Sequence, residues 1–136
     1  MATARIFEEL ECWKESRELV KMVFKACEIG KLSKDFGTSN QIKRAAVSVM
    51  NNIAEGHGRR STKEFIRFLD FAQSSSLEVK SMTYILVDLD YLSEESCITI
   101  RHKSEQVKKM IRGLMHYLDT YNINSRTQNL EPASRG

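Results

Sequence analysis

The sequence predicts an all-α protein, an antiparallel up-and-down four-helix bundle, from three observations. Residues 1–131 contain no proline, the single one being Pro132, so nothing there forbids long helices. Apolar residues recur at three- and four-residue spacing in four successive segments, and no segment alternates as a half-buried strand does. The connections between these segments are short, which makes neighbouring helices antiparallel partners.

The first helix is expected from about Cys12 to Glu28. Trp13, Val20, Phe24 and Cys27 mark its apolar face, widened by Leu19 and Val23. Gly30 can take the left-handed conformation that ends a helix, and "KLSKDFG" then reads as a loop. The second helix is expected to open at "TSNQ", where Thr38 and Gln41 have capping-box spacing. Its stripe of Ile42, Ala45, Ala46, Val49 and Ile53 is narrow and small, which lets a neighbour approach closely, and it ends at Gly56.

Ser61 and Glu64 form a second capping box that opens the third helix. Its pattern, Phe65, Phe68, Leu69, Ala72, Ser76, Val79, Leu86 and Leu89, continues to about Tyr91. Ser93 can cap the fourth helix, with Glu94 and Glu95 at the positive end of its dipole. Val107, Met110, Ile111, Leu114, Leu118 and Tyr121 make its stripe. Residues 1–121 therefore form the bundle domain, and the polar, aperiodic stretch 122–136 is expected to be a disordered tail.

Composition narrows the function classes. The 41% apolar and 29% charged residues are those of an ordinary globular protein, and no apolar run is long enough for a membrane span. No secretory signal is expected. Cys12, Cys27 and Cys97 are odd in number with no C-x-x-C spacing, which fits a reducing cytoplasm and neither a disulfide framework nor a structural zinc site.

The window "NNIAEGHGRRSTKEFIRFLDFA" holds the candidate site. Its glycines echo a phosphate loop, but a helix rather than a strand precedes them and the lysine of that motif is missing. As a helix–loop–helix corner, Gly56 closes one helix, Gly58 permits the turn and Ser61 opens the next. Asn52 and Glu55 belong to this structural corner, Glu55 accepting from backbone N–H groups or an arginine such as Arg44. The start of the third helix carries Arg59, Arg60 and Lys63, with Arg67 one turn on. These can bind phosphate oxygens, or lie solvated and paired with Glu64 or Asp70.

The charge is patterned. Residues 38–76 carry six Lys/Arg against three acids, residues 77–97 one against five, and residues 98–121 five against two. Lys43, Arg44, Lys108, Lys109 and Arg112 add basic positions to the candidate nucleic-acid surface.

Enzyme readings find little support. A di-iron bundle needs Glu-x-x-His pairs, and none of His57, His102 or His116 has a carboxylate three positions earlier. Glu15 and Glu18 have the spacing of a magnesium pair but lie among Lys14, Arg17 and Lys21. Arg112 and His116 are one residue too close for an R-x4–6-H ribonuclease motif. The chain is therefore read as a non-enzyme with no cofactor and no metal. Phe65, Ile66, Phe68, Leu69, Phe71 and Ala72 cover an arc of about 220°, wider than one core contact needs. Phe65, Ile66, Phe68 and Phe71 are accordingly expected at an interface of a homo-oligomer with closed symmetry.

Gln41, Arg44, Ala45, Ser48, the run from Asn52 to Gly56, Gly58, Arg59, Ser61, Glu64 and Phe65 together resemble the proteins of intervening sequences in bacterial 23S rRNA genes. Phe7, Leu10 and Trp13 extend the match, as do Ser74 to Ser76 and Glu78, over residues 6–121. The resemblance implies a four-helix bundle assembled into a ring, commonly a homopentamer, with no catalytic residues to carry over. A more distant similarity is to accessory proteins of diversity-generating retroelements, which generally lack the Asn-Ile-Ala-Glu-Gly signature. That likeness implies a reverse transcriptase and nucleic acid, RNA or DNA, as partners.

Overall fold

A computed structural model describes residues 4–135 of the chain, and side chains over residues 4–121. It holds four α-helices and no strand among the described residues: α1 (Glu11–Ala26), α2 (Phe36–His57), α3 (Thr62–Asp88) and α4 (Glu94–Arg135). The tail expected over residues 122–136 lies outside the described side chains. Short 3-10 turns precede α1 (Phe7–Glu9) and α2 (Leu32–Lys34). No helix of the described residues is long and apolar enough to cross a membrane.

The stripe of α2 forms as expected: Ile42, Ala45, Ala46, Val49 and Ile53 are all buried, facing Leu69, Ala72, Val79 and Leu86 of α3. On α1 the core face is rotated from the expected one. Cys12, Ser16, Leu19 and Val23 are buried, whereas Trp13 and Val20 are only partly so and Phe24 is 38% exposed. Trp13 packs edge-on against Phe7, 5.1 Å between ring centres. On α4, Cys97, Ile100 and Ser104 join Val107, Ile111 and Leu118 in the core, and Tyr121 lies outside it.

Buried hydroxyls tie the helices where the core is polar. Ser76 and Ser104 bond at 2.9 Å, and Ser104 Oγ also donates to the Ser76 carbonyl at 2.7 Å. Arg101 donates to Thr83 Oγ1 at 2.7 Å, and Lys103 reaches Glu15 at 2.6 Å. Each buried hydroxyl therefore keeps the partner that burial would otherwise cost it.

The connection between α1 and α2 differs from expectation. Leu32, expected in a loop, is fully buried. α2 opens at Phe36 rather than Thr38, because Asp35 is the cap: its carboxylate accepts from the Thr38 N–H at 3.0 Å and the Thr38 hydroxyl at 2.8 Å. Thr38 thus donates to a cap instead of being one, and Gln41 is left to donate to Glu78 of α3. Gly30 does take the left-handed conformation, at φ +54°. Asp90 takes it at φ 56° in the turn after α3, where the Tyr91 and Leu92 N–H groups return to the Leu86 carbonyl.

Candidate nucleic-acid interface

The corner between α2 and α3 is built by clearance. Gly56 lies inside the last turn of α2, not beyond its end, and is buried. A Cβ there would stand 2.7 Å from Phe68 Cβ, closer than real contacts, and 3.0 Å from the Phe65 ring, a tight one. Its absence lets the first turns of α3 press onto α2. Gly58 closes α2 with φ −77°, a value any residue adopts, so the turn itself does not require glycine. Ser61 caps α3 as expected, accepting from the Glu64 N–H at 3.1 Å. The reciprocal half of the box does not form, because the Glu64 carboxylate pairs with Arg67 at 3.3 Å.

His57 anchors the corner to the chain's beginning. Its Nε2 donates to the Ala4 carbonyl at 2.6 Å, and its ring meets Phe65 edge-on at 5.8 Å. Phe65 is 6% exposed and belongs to the chain's own core, and Ile66 packs against that core. Two of the four residues expected at an oligomer interface are thus occupied within the chain, because the missing Cβ of Gly56 draws this part of α3 inward. Phe68 is partly buried, and Phe71 is exposed.

On the outer side, Arg59 and Arg67 lie over the rings of Phe68 and Phe71, at 4.6 Å and 5.3 Å from their centres. The two rings meet edge-on at 5.7 Å. Arg59 also pairs with Glu55 at 3.3 Å. Glu55 is therefore an exposed acid on the arginine of its own corner; the expected partner Arg44 lies elsewhere. Asn52 donates to the Ser48 carbonyl at 2.8 Å and to its hydroxyl at 3.0 Å. Arg60 and Lys63 are exposed, and neither enters an ion pair among the described residues.

A cleft of about 360 Å³ opens at this corner. Arg59, Arg60, Ser61 and Thr62 line one side, and Tyr117, Leu118 and Tyr121 of α4 line the other. The tyrosines were not among the expected site residues. Their spacing of four on one helix face is the signal that could have placed them together. Arginine side chains, the open N–H groups at the start of α3 and aromatic rings are the groups that hold phosphates and stack bases.

The remaining basic candidates do not join this cleft. Lys43 lies 5.2 Å over the Phe24 ring, and with Arg44 lines a groove between α1 and α2. Lys108 pairs with Glu105 at 3.5 Å, an acid that also takes Lys80 at 2.8 Å. Lys109 and Arg112 are exposed on α4. Summed charge along the sequence cannot separate cations that share a surface from those that share only a segment.

The polar motif residues do converge. Gln41 bonds Glu78, Ser48 bonds Ser75 at 2.9 Å, Asn52 bonds Ser48, and Glu55 holds Arg59. They form one seam along α2, largely against α3. The family model of the 23S rRNA-intervening sequence protein matches residues 8–113. The chain belongs to this family. The seam and the corner both lie within the matched residues. Among solved structures, the fold is similar to the 1.70 Å crystal structure of a protein with unknown function from the S23 ribosomal protein family of Bacteroides thetaiotaomicron VPI-5482. That similarity has a TM-score of 0.70 at 23% identity, over 76% of this chain and 97% of the other, and shows a shared fold. No curated protein matches the chain.

Proposed function

We propose that this 23S rRNA-intervening sequence family member is a non-enzymatic interaction protein. It is an up-and-down bundle that self-associates into a closed ring and presents repeated basic corners to structured nucleic acid. The observation that carries the nucleic-acid reading is the corner cleft, where Arg59 and Arg60 face Tyr117 and Tyr121 across the start of α3. The antiparallel order is supported by the pairs Gln41–Glu78 and Ser48–Ser75, and by Ser76–Ser104 and Arg101–Thr83, whose numbers rise on one helix as they fall on the next. Self-association is supported by α3, which leaves Phe71, Leu77, Tyr84 and Ile85 exposed. A pentamer is the ring size the family resemblance implies. Three buried free cysteines suit a reducing cytoplasm.

Repetition supplies the affinity. One corner makes few phosphate contacts and binds weakly at physiological salt, whereas linked copies gain avidity of about 10²–10⁴. The test is binding of a short structured RNA across a salt series, with wild type and an Arg59→Glu/Arg60→Glu variant. The variant is expected to assemble normally, bind less tightly and lose about 0.7–0.9 of the logarithmic salt slope per phosphate contact removed. Equal affinity and equal slope would refute the basic corner. Equal RNA binding with loss of a bound reverse transcriptase would instead assign the corner to the accessory-subunit reading.

A further inference from the structure

The groove between α1 and α2 and the exposed apolar residues of α3 flank the seam where α2 meets α3, and Arg44 and Ser48 of the groove share a second pocket with Glu78 of α3. The groove is about 500 Å³, and its floor is Phe24 and Val47 with Lys43, Arg44 and Asn51 around them. Its surface is mostly apolar apart from those two cations. α3 presents the opposite shape. Phe71 and Leu77 are 42% and 44% exposed, with the small Ser74 between them, the acids Asp70 and Glu78 beside them and Arg67 over the Phe71 ring. Asp70 enters no ion pair among the described residues, and Glu78 accepts from Gln41 through Oε2.

We propose that the α1–α2 groove of one copy receives the outer face of α3 from a second copy of this chain, Phe71 and Leu77 entering the groove and Asp70 and Glu78 meeting Lys43 and Arg44. This inference rests on the self-association reading and names its surfaces. Three features favour a second copy over another occupant. The groove carries Lys43 and Arg44, and residues 70–78 of α3 carry Asp70 and Glu78, while the neighbouring Arg67 is already paired with Glu64, so the two are complementary in sign. Apolar side chains stand out on one face where the other face has an apolar floor.

The third feature is height. A closed ring needs its two mating patches at the same level along the bundle, because any offset would accumulate into an open helix. The Gln41–Glu78 and Ser48–Ser75 bonds set that level. They put the groove residues 43–51 opposite residues 70–78 of α3. The two patches are thus level with each other, and a head-to-tail contact between them can close.

The test is site-directed cross-linking in the full chain. Val47→Cys and Ser74→Cys are placed together in one chain and oxidised, and each alone serves as control. Cys12, Cys27 and Cys97 are buried and do not compete. The double variant is expected to give covalent multimers, and a mixture of the two single variants to give dimers and nothing larger. Leu77→Glu, at an exposed position that leaves the helical circular dichroism unchanged, is expected to raise the concentration at half-assembly at least about tenfold, the effect of losing one buried leucine. Wild-type assembly with no cross-link and an unaffected Leu77→Glu would overturn these surfaces while leaving self-association intact. A wild type that stays monomeric at every concentration would overturn the self-association reading itself.

Discussion

The two ends of the bundle close in different ways. At one end, Asp35 caps α2 and also accepts from the Tyr91 hydroxyl at 2.8 Å, so one carboxylate joins the connection before α2 to the turn after α3. Leu32 sits fully buried beneath that connection. At the other end, α2 meets α3 through the space left by Gly56. Arg59 and Arg67 lie over phenylalanine rings, and Arg60 and Lys63 are exposed. The first end uses its hydrogen-bonding groups to hold the fold. The second is held by close packing, and its Arg60 and Lys63 enter no ion pair among the described residues.

Leu32→Ala should break the first end most severely. Removing a fully buried leucine costs about 2–5 kcal/mol, depending on how far the site collapses. Urea denaturation followed by circular dichroism measures it. A loss under 1 kcal/mol would mean that the connection rests on the surface and not in the core. Gly56→Ala tests the second end. The added Cβ would fall 2.7 Å from Phe68 Cβ, and that atom is fixed to the α3 backbone. Overpacking of this kind costs about 1–3 kcal/mol. The same variant should also shift Phe68 and, through it, Arg59, so RNA affinity is expected to fall with stability.

The contrast between the ends explains what the sequence could and could not reveal. Four helices were legible because apolar spacing and the absence of proline act locally, as did the caps at Ser61 and Ser93. The cap at Asp35 was obscured because Thr38 has the same capping chemistry three residues later, and only the backbone direction decides which oxygen accepts. The face of α1 was misjudged because Trp13 and Phe24 are large and apolar yet lie at its edge, where Arg17 and Lys43 cover their rings. The basic cluster was legible as a segment, but its division into a corner, a groove and α4 depends on tertiary placement. Tyr117 and Tyr121 come to the corner from a distant part of the chain, and no local pattern encodes that approach.

The Asp35 tie gives the first end a pH dependence. The Thr38 N–H, the Thr38 hydroxyl and the Tyr91 hydroxyl, in that order, hold the Asp35 carboxyl below its ordinary value. The unfolded chain therefore takes up the proton first, and stability falls as pH drops from the ordinary carboxylate range toward the lower folded value. The same bond raises Tyr91, so its contribution is intact below the ordinary phenol range and is lost as pH rises through the folded value. Denaturation midpoints of wild type, Asp35→Asn and Tyr91→Phe between pH 7 and pH 3 are the measurement. The variants should lose less stability on acidification than wild type. Parallel curves would show that the tie carries none of the acid sensitivity.

Gly58→Ala should produce the smallest effect, with a sign opposite to that of Gly56→Ala. Gly58 has φ −77°, and an added Cβ would meet the Glu55 carbonyl at 3.5 Å, an ordinary contact. Alanine fits that conformation and narrows the unfolded ensemble, which stabilises by about 0.4–1 kcal/mol. The two glycines are two residues apart in one motif, so the pair separates two explanations for it. Glycine for turning predicts that Gly58→Ala is the damaging change. Glycine for clearance predicts that Gly56→Ala is damaging and Gly58→Ala mildly favourable. If both destabilise equally, the corner depends on backbone freedom after all, and the close approach of α3 to α2 is a consequence of the turn rather than its cause.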